Sequence, residues 1–189
     1  MGPRKGGDEL WAKIVPEQGL RRWARFLRRY HDAVAEYRPP GTSVWSSVTG
    51  RCAPGQLVCH GDLWPGNGVW RGDEVVGLID FDHARPASPL FDIAYALEYA
   101  APFRDDTTCV RWLRYPHHRT ARRIEVSCDA YGIAAPNDVA DLVADQQRSV
   151  LATVRQLARR SVEPQATWVA DGYLDELHRR IRWTESVML

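Results

Sequence analysis

Leu57-Val58-Cys59-His60-Gly61-Asp62-Leu63-Trp64-Pro65-Gly66-Asn67, followed by Gly77-Leu78-Ile79-Asp80-Phe81-Asp82, is the stretch on which the fold turns. The run Gln56 to Cys59 is short and apolar, as expected of a buried strand. It opens into a loop in which Gly61, Pro65 and Gly66 constrain the backbone. Val69-Trp70, a turn at Arg71-Gly72-Asp73 and the run Glu74 to Ile79 have the spacing of a β-hairpin. Each apolar run thus hands an acidic residue to the loop that follows it.

Outward from this centre the pattern is helical. Upstream, Leu20, Trp23, Ala24, Leu27, Tyr30, Val34 and Tyr37 recur at three- and four-residue steps, which predicts a helix over 17–37 opened by Pro16-Glu17. Arg21, Arg22, Arg25, Arg28 and Arg29 lie mostly off that stripe and read as a solvated face. Residues 1–15, rich in Gly, Arg and Lys, are expected to be a frayed and flexible N-terminus. Downstream, Ser88 and Pro89 start a helix that is apolar nearly all round, with Asp92 in its first turn. Further helices are expected over 120–131, closed by Gly132, then after a cap at Asn137, and last over 166–183 beyond a break at Glu163-Pro164. The fold class is therefore α+β and mostly helical, a small hairpin set into a helical body over 16–189.

Bulk properties narrow the function. A chain of 189 residues with 44% hydrophobic and 26% charged residues builds one ordinary domain. Its net charge of +1 gives no electrostatic reason to expect nucleic acid. No apolar run approaches the roughly 18 residues that span a bilayer, and the N-terminus lacks the apolar core of a signal peptide. Cys52, Cys59, Cys109 and Cys128 show neither C-x-x-C spacing nor clustering with histidines at zinc-finger intervals, so free thiols in a reducing cytoplasm are expected.

The chemistry lies in the loop residues. A carboxylate at Asp62 can orient a hydroxyl and accept its proton as a phosphoryl group is transferred. Asn67 offers a neutral side-chain oxygen and Asp80 a charged one at the tip of the second run. Magnesium keeps several waters and needs only one or two protein oxygens beside substrate phosphates, so this pair suffices. Positioning and charge neutralisation do most of the work in such transfers.

His60-Gly61-Asp62-x-x-x-x-Asn67, followed by Ile79-Asp80-Phe81-Asp82-x-Ala84, resembles the catalytic and metal-binding loops of the aminoglycoside phosphotransferase family. These are small-molecule kinases with a protein-kinase-like fold, and Pro89-x-x-Asp92-x-Ala94 resembles their next element. The resemblance implies a kinase-like C-terminal lobe and ATP-dependent transfer of a γ-phosphoryl group to a hydroxyl of a small molecule. It implies Asp62 as catalytic base and His60 as a brace of the catalytic loop. Asn67 and Asp80 would hold Mg2+ and the nucleotide, with Asp82 a weaker metal candidate, and Asp92 would support the loop backbone. It also implies an N-terminal β lobe with a phosphate-pairing lysine. Neither Lys5 nor Lys13 falls in a strand that could serve, and no glycine-rich phosphate loop occurs, so that lobe is expected to be missing.

The acceptor is expected to be a small molecule, aminoglycoside-like or another alcohol or sugar. Asp105, Asp106, Asp129, Asp141 and Asp145 are candidates for an acidic rim that would meet a polycation. Two rivals stand beside the enzyme. One is a catalytically inactive kinase-like remnant acting as a binding or interaction module. The other is a non-haem iron oxygenase using His60, Asp62 and one of His83, His117 or His118, which the shortage of strands disfavours.

Overall fold

Helix α2 (Glu17–Val34) is the element against which the site is assembled. Pro16 precedes it in an extended conformation and Glu17 occupies its first turn, where the unpaired amides favour a carboxylate. Its buried side is Leu20, Trp23, Ala24, Leu27 and His31. The helix ends at Val34, so Tyr37, which the pattern places on the stripe, stands 53% exposed. Arginines on its other side pair with acids, Arg21 with Asp129, Arg22 with Glu74 and Arg28 with Asp32.

The computed structural model describes residues 7–45, 51–113 and 120–187. Lys5, His117 and His118, weighed above, lie outside them. Among the described residues no helix is long and apolar enough to cross a membrane. The N-terminal segment departs from the expected fraying, because Gly7–Ile14 form helix α1. The reason is packing: Trp11 and Ile14, three residues apart, are both buried in the main core. At the α1–α2 junction a β-carbon on Gly19 would lie 1.6 Å from the Lys13 carbonyl oxygen, an approach that only glycine allows.

Four strands follow: β1 (Leu57–Cys59), β2 (Gly68–Arg71), β3 (Glu74–Leu78) and β4 (Arg85–Ala87). The hairpin β2–β3 is the expected one, turning at Gly72 with φ 59°. Strand β1, however, does not stand alone. It pairs antiparallel with β4, Leu57 opposite Ala87 and Cys59 opposite Arg85. Leu57, Cys59 and Ala87 form a small apolar cluster against Val34 of α2 and Phe91.

Helix α3 (Pro89–Ala100) begins with Ser88 accepting the Leu90 N–H, as expected of a cap. A short turn α4 (Asp106–Thr108) leads to α5 (Thr120–Tyr131), which matches its expected span and closes at Gly132 with φ 96°. Helix α6 (Val139–Arg159) starts after Asp138 rather than after a cap at Asn137. The single helix expected over 166–183 is two, α7 (Gln165–Ala170) and α8 (Tyr173–Ser186). Gly172, left-handed at φ 83°, breaks it. Helix α2 packs on α5, and α6 packs on α3 and α8. The main core lies among α1, α2, α3 and α5, and a second cluster of Leu151, Val154, Leu177 and Ile181 joins α6 to α8. All four cysteines are unpaired, three of them buried.

Candidate active site

The buried strand β1 delivers His60 and Gly61 onto the N-terminal end of α3. There Asp92 accepts the His60 N–H at 2.7 Å and the Gly61 N–H at 2.9 Å, one on each carboxylate oxygen. Fully buried in the first helical turn, Asp92 holds the loop by its backbone. Behind it, the His31 Nε2–H donates to Asp92 Oδ2 at 3.2 Å while Nδ1 accepts the Tyr131 hydroxyl at 2.8 Å. A carboxylate oxygen can only accept here, which fixes the imidazole tautomer. His31, Cys59 and Asp92 bring three buried ligand-type atoms within 4.8 Å of one another. Both ring nitrogens and both carboxylate oxygens are already bonded, so this cluster is a brace and not a cage.

His60 joins the two halves of the motif. Its Nε2–H donates to the Ile79 carbonyl at 2.9 Å, and its Nδ1 accepts the Asp62 N–H at 3.2 Å. With both nitrogens engaged, none is left for iron, which removes the oxygenase reading. Gly61, at φ 81°, is required: a β-carbon there would lie 2.1 Å from the His83 carbonyl oxygen.

Asp62 sits at the buried edge of the loop with both carboxylate oxygens held. The Tyr95 hydroxyl donates to Oδ1 at 2.5 Å, and Asn67 Nδ2 donates to Oδ2 at 2.9 Å and to the Asp62 carbonyl at 2.8 Å. Burial, and then the charge of Asp62, push the Tyr95 phenol well above its ordinary range, so it remains a donor. A carboxylate has about four acceptor sites, so two lone pairs of Asp62 stay open to a substrate hydroxyl. Asn67 is 4% exposed, and its own oxygen accepts the Trp64 indole N–H at 2.9 Å.

Asp80 follows β3 in the left-handed conformation, φ 66° and ψ 60°, and is exposed. That conformation is uncommon for a residue other than glycine and turns the chain away from the strand direction. Beside it Phe81 packs on His60 with ring centroids 4.4 Å apart.

Asp62, Asp80 and Asp82 line a cleft of about 570 Å³. Tyr95 and Tyr99 stack along its side, centroids 6.0 Å apart, and α6, α7 and α8 supply the far wall. None of Asp105, Asp106, Asp129, Asp141 or Asp145 lines it. Asp105 caps α4, Asp129 pairs with Arg21 and Asp145 with Arg148.

Three carboxylates on one cleft, one of them on a loop held by a buried aspartate, invite comparison with known proteins. The model of the phosphotransferase enzyme family matches residues 14–125. The chain belongs to that family. The stretch matched to the phosphotransferase family contains His60, Asp62, Asn67, Asp80 and Asp92, and ends before α6. The chain is also 32% identical over 120 residues to the trifolitoxin immunity protein of Rhizobium leguminosarum bv. trifolii. That alignment covers 62% of this chain and 46% of the relative, so the chain spans about half the length of that curated relative. No solved structure matches.

Sequence reasoning singled out five site residues and missed three contacts. Tyr95 lies one turn beyond Asp92 on a helix apolar all round, where nothing distinguishes a phenol that packs from one that donates. His31 stands four residues after Leu27 on the buried stripe, and that spacing is a readable signal. Gln165, which lines the cleft, follows the Glu163-Pro164 break and has no sequence signal.

Proposed function

We propose that this chain transfers the γ-phosphoryl group of ATP, or another nucleoside triphosphate, to a hydroxyl of a small molecule in the cytoplasm. Its architecture on this reading is a kinase-like C-terminal lobe. The observation that carries the proposal is that Asp62, held by two donors, lines the same cleft as exposed Asp80. Asp62 takes the proton of the acceptor hydroxyl as its oxygen bonds to the γ-phosphorus, and the bond to the nucleoside diphosphate breaks. Tyr95 and Asn67 keep the carboxylate aimed, and Asp92 and His60 keep the loop that carries it.

The donors fit a hard divalent cation unequally. Asp80, an exposed carboxylate on the cleft, suits Mg2+, and Asp82 is the next candidate. Asn67 suits it only after its oxygen leaves Trp64. A magnesium ion there would neutralise charge on the phosphates. The Trp64–Asn67 bond is also the observation favouring the second reading, a catalytically inactive module that binds without turning over. The relative's name supports a role in protection from a toxic compound.

Phosphoryl transfer from γ-labelled ATP to added alcohols, in the longest form the gene encodes, separates the two readings. Asp62→Asn should lower the rate by roughly a hundred- to ten-thousandfold with the unfolding midpoint unchanged. Wild-type rates in that variant, or no Mg2+-dependent transfer in the parent, would overturn the proposal.

A further inference from the structure

We infer that the acceptor is a neutral, largely apolar alcohol and not a polycation, and that Gln165 reads a hydrogen-bond donor on its distal part. The word acceptor rests on the phosphoryl-transfer reading above; the binding preference does not.

Charge is distributed along the cleft unevenly. Three of its four carboxylates, Asp62, Asp80 and Asp82, belong to the two loops that carry the motif. The wall from α6 to α8 adds one carboxylate, Glu163, which is exposed and accepts the Thr167 N–H at 3.2 Å at the start of α7. A polycation brings several ammonium groups into a cleft, and each buried one needs its own carboxylate. The far wall cannot supply them.

What the wall does supply is apolar area, interrupted by the uncharged hydroxyls of Ser149 and Thr153. Val154 and Leu157 come from α6, and Trp168 meets Tyr173 edge to face with centroids 5.6 Å apart. Aromatic walls can also hold a cation, but two of these rings already do. The Arg104 guanidinium lies 5.4 Å from the Tyr99 centroid, and that of Arg180 lies 5.5 Å from the Tyr173 centroid. A ring whose negative face is engaged attracts a second cation more weakly. Dispersion and desolvation of a neutral skeleton are the remaining sources of affinity.

Gln165 adds direction. It lines the cleft, is 7% exposed, and its Oε1 has no hydrogen-bond partner among the described residues. A buried acceptor without a donor is unfavourable, and a ligand O–H or N–H relieves it. The whole wall from α6 to α8 lies outside the stretch that matches the family.

The test titrates the chain, with nitrogen-15 in its tryptophans and no nucleotide present, and follows the Trp168 indole N–H assigned through Trp168→Phe. The probes are 4-phenyl-1-butanol, its para-hydroxyphenyl analogue, and kanamycin as a polycationic alcohol. Both phenyl alcohols should shift the signal saturably, the phenol binding roughly three- to tenfold tighter, while kanamycin leaves it in place. Gln165→Leu should remove the advantage of the phenol and keep binding of the parent alcohol; Gln165→Glu, which retains an acceptor, should restore the preference. Saturable shifts with kanamycin at lower concentration than with either alcohol, or no shift with the alcohols, would overturn the inference. Since no transfer is required, an inactive enzyme leaves this result intact, whereas efficient phosphorylation of kanamycin would sink the inference and uphold the kinase.

Discussion

At the scale of single residues, the site is a chain of buried partners behind one carboxylate. Asp62 is aimed by Tyr95 and Asn67, and the loop bearing it hangs from Asp92, which His31 and Tyr131 back in turn. Tyr95→Phe keeps the ring and removes one donor from a charged acceptor. It should lower kcat roughly ten- to hundredfold with little change in KM or melting temperature; an unchanged kcat would mean that Asn67 alone positions the base. Asp92→Asn turns one acceptor into an N–H₂ that faces a backbone N–H. Urea unfolding should show a loss of about 1–3 kcal/mol. Four residues of this network were legible in the sequence, because His60, Asp62, Asn67 and Asp92 keep fixed spacings along it. Tyr95 was not, because its partner is set by packing between segments distant along the chain, and His31 showed only as a member of the buried stripe, with no sign of the carboxylate it meets.

At the scale of elements, local rules read the chain well where they had no competitor. The span of α5, the Ser88 cap and the hairpin follow from periodicity and turn chemistry. Strand β4 has the sequence Arg85-Pro86-Ala87, with no alternation and a proline, so only its pairing with β1 makes it a strand. Helix α1 was hidden by its glycine-rich surroundings, although Trp11 and Ile14 bury it. Its junction with α2 gives a sharp expectation. Gly19→Ala would drive a methyl into the Lys13 carbonyl, a backbone atom that cannot step aside. It should destabilise by about 1–3 kcal/mol or more in chemical denaturation, whereas an exposed helical glycine changed to alanine would normally stabilise. A neutral or stabilising outcome would show that α1 does not approach α2 so closely.

At the scale of the whole molecule, the cleft joins residues from the loop after β1, the turn after β3, and helices α3, α6, α7 and α8, and no spacing rule could have assembled it. The same burial that shapes the cleft makes the fold sensitive to alkali. The Cys59 thiol is raised from 9.0, and the phenols of Tyr30, Tyr95 and Tyr99 from 10.0, in each case chiefly by desolvation. Cys109 is pushed up to about 12 by the same cause. Above pH 9 the unfolded chain releases these protons first and binds fewer than the folded one, so stability falls as pH rises. Thermal unfolding between pH 7 and 11 should show a plateau to about pH 8.5 and a steepening decline beyond it. Cys59→Ala should flatten the first part of that decline; an unchanged profile would assign it elsewhere.

The buried guanidinium of Arg123 donates to the carbonyl oxygens of Ile14, Val15 and Ala100, at 2.9, 2.7 and 2.5 Å. One side chain on α5 therefore fastens the end of α1, the joint that follows it and the end of α3. In engineering terms, α1 is a mounting post clamped at the end that meets α2. A fluorescent reporter fused just ahead of it should tumble with the body of the protein, and Arg123→Met should let it swing free, a change that polarised emission would record directly.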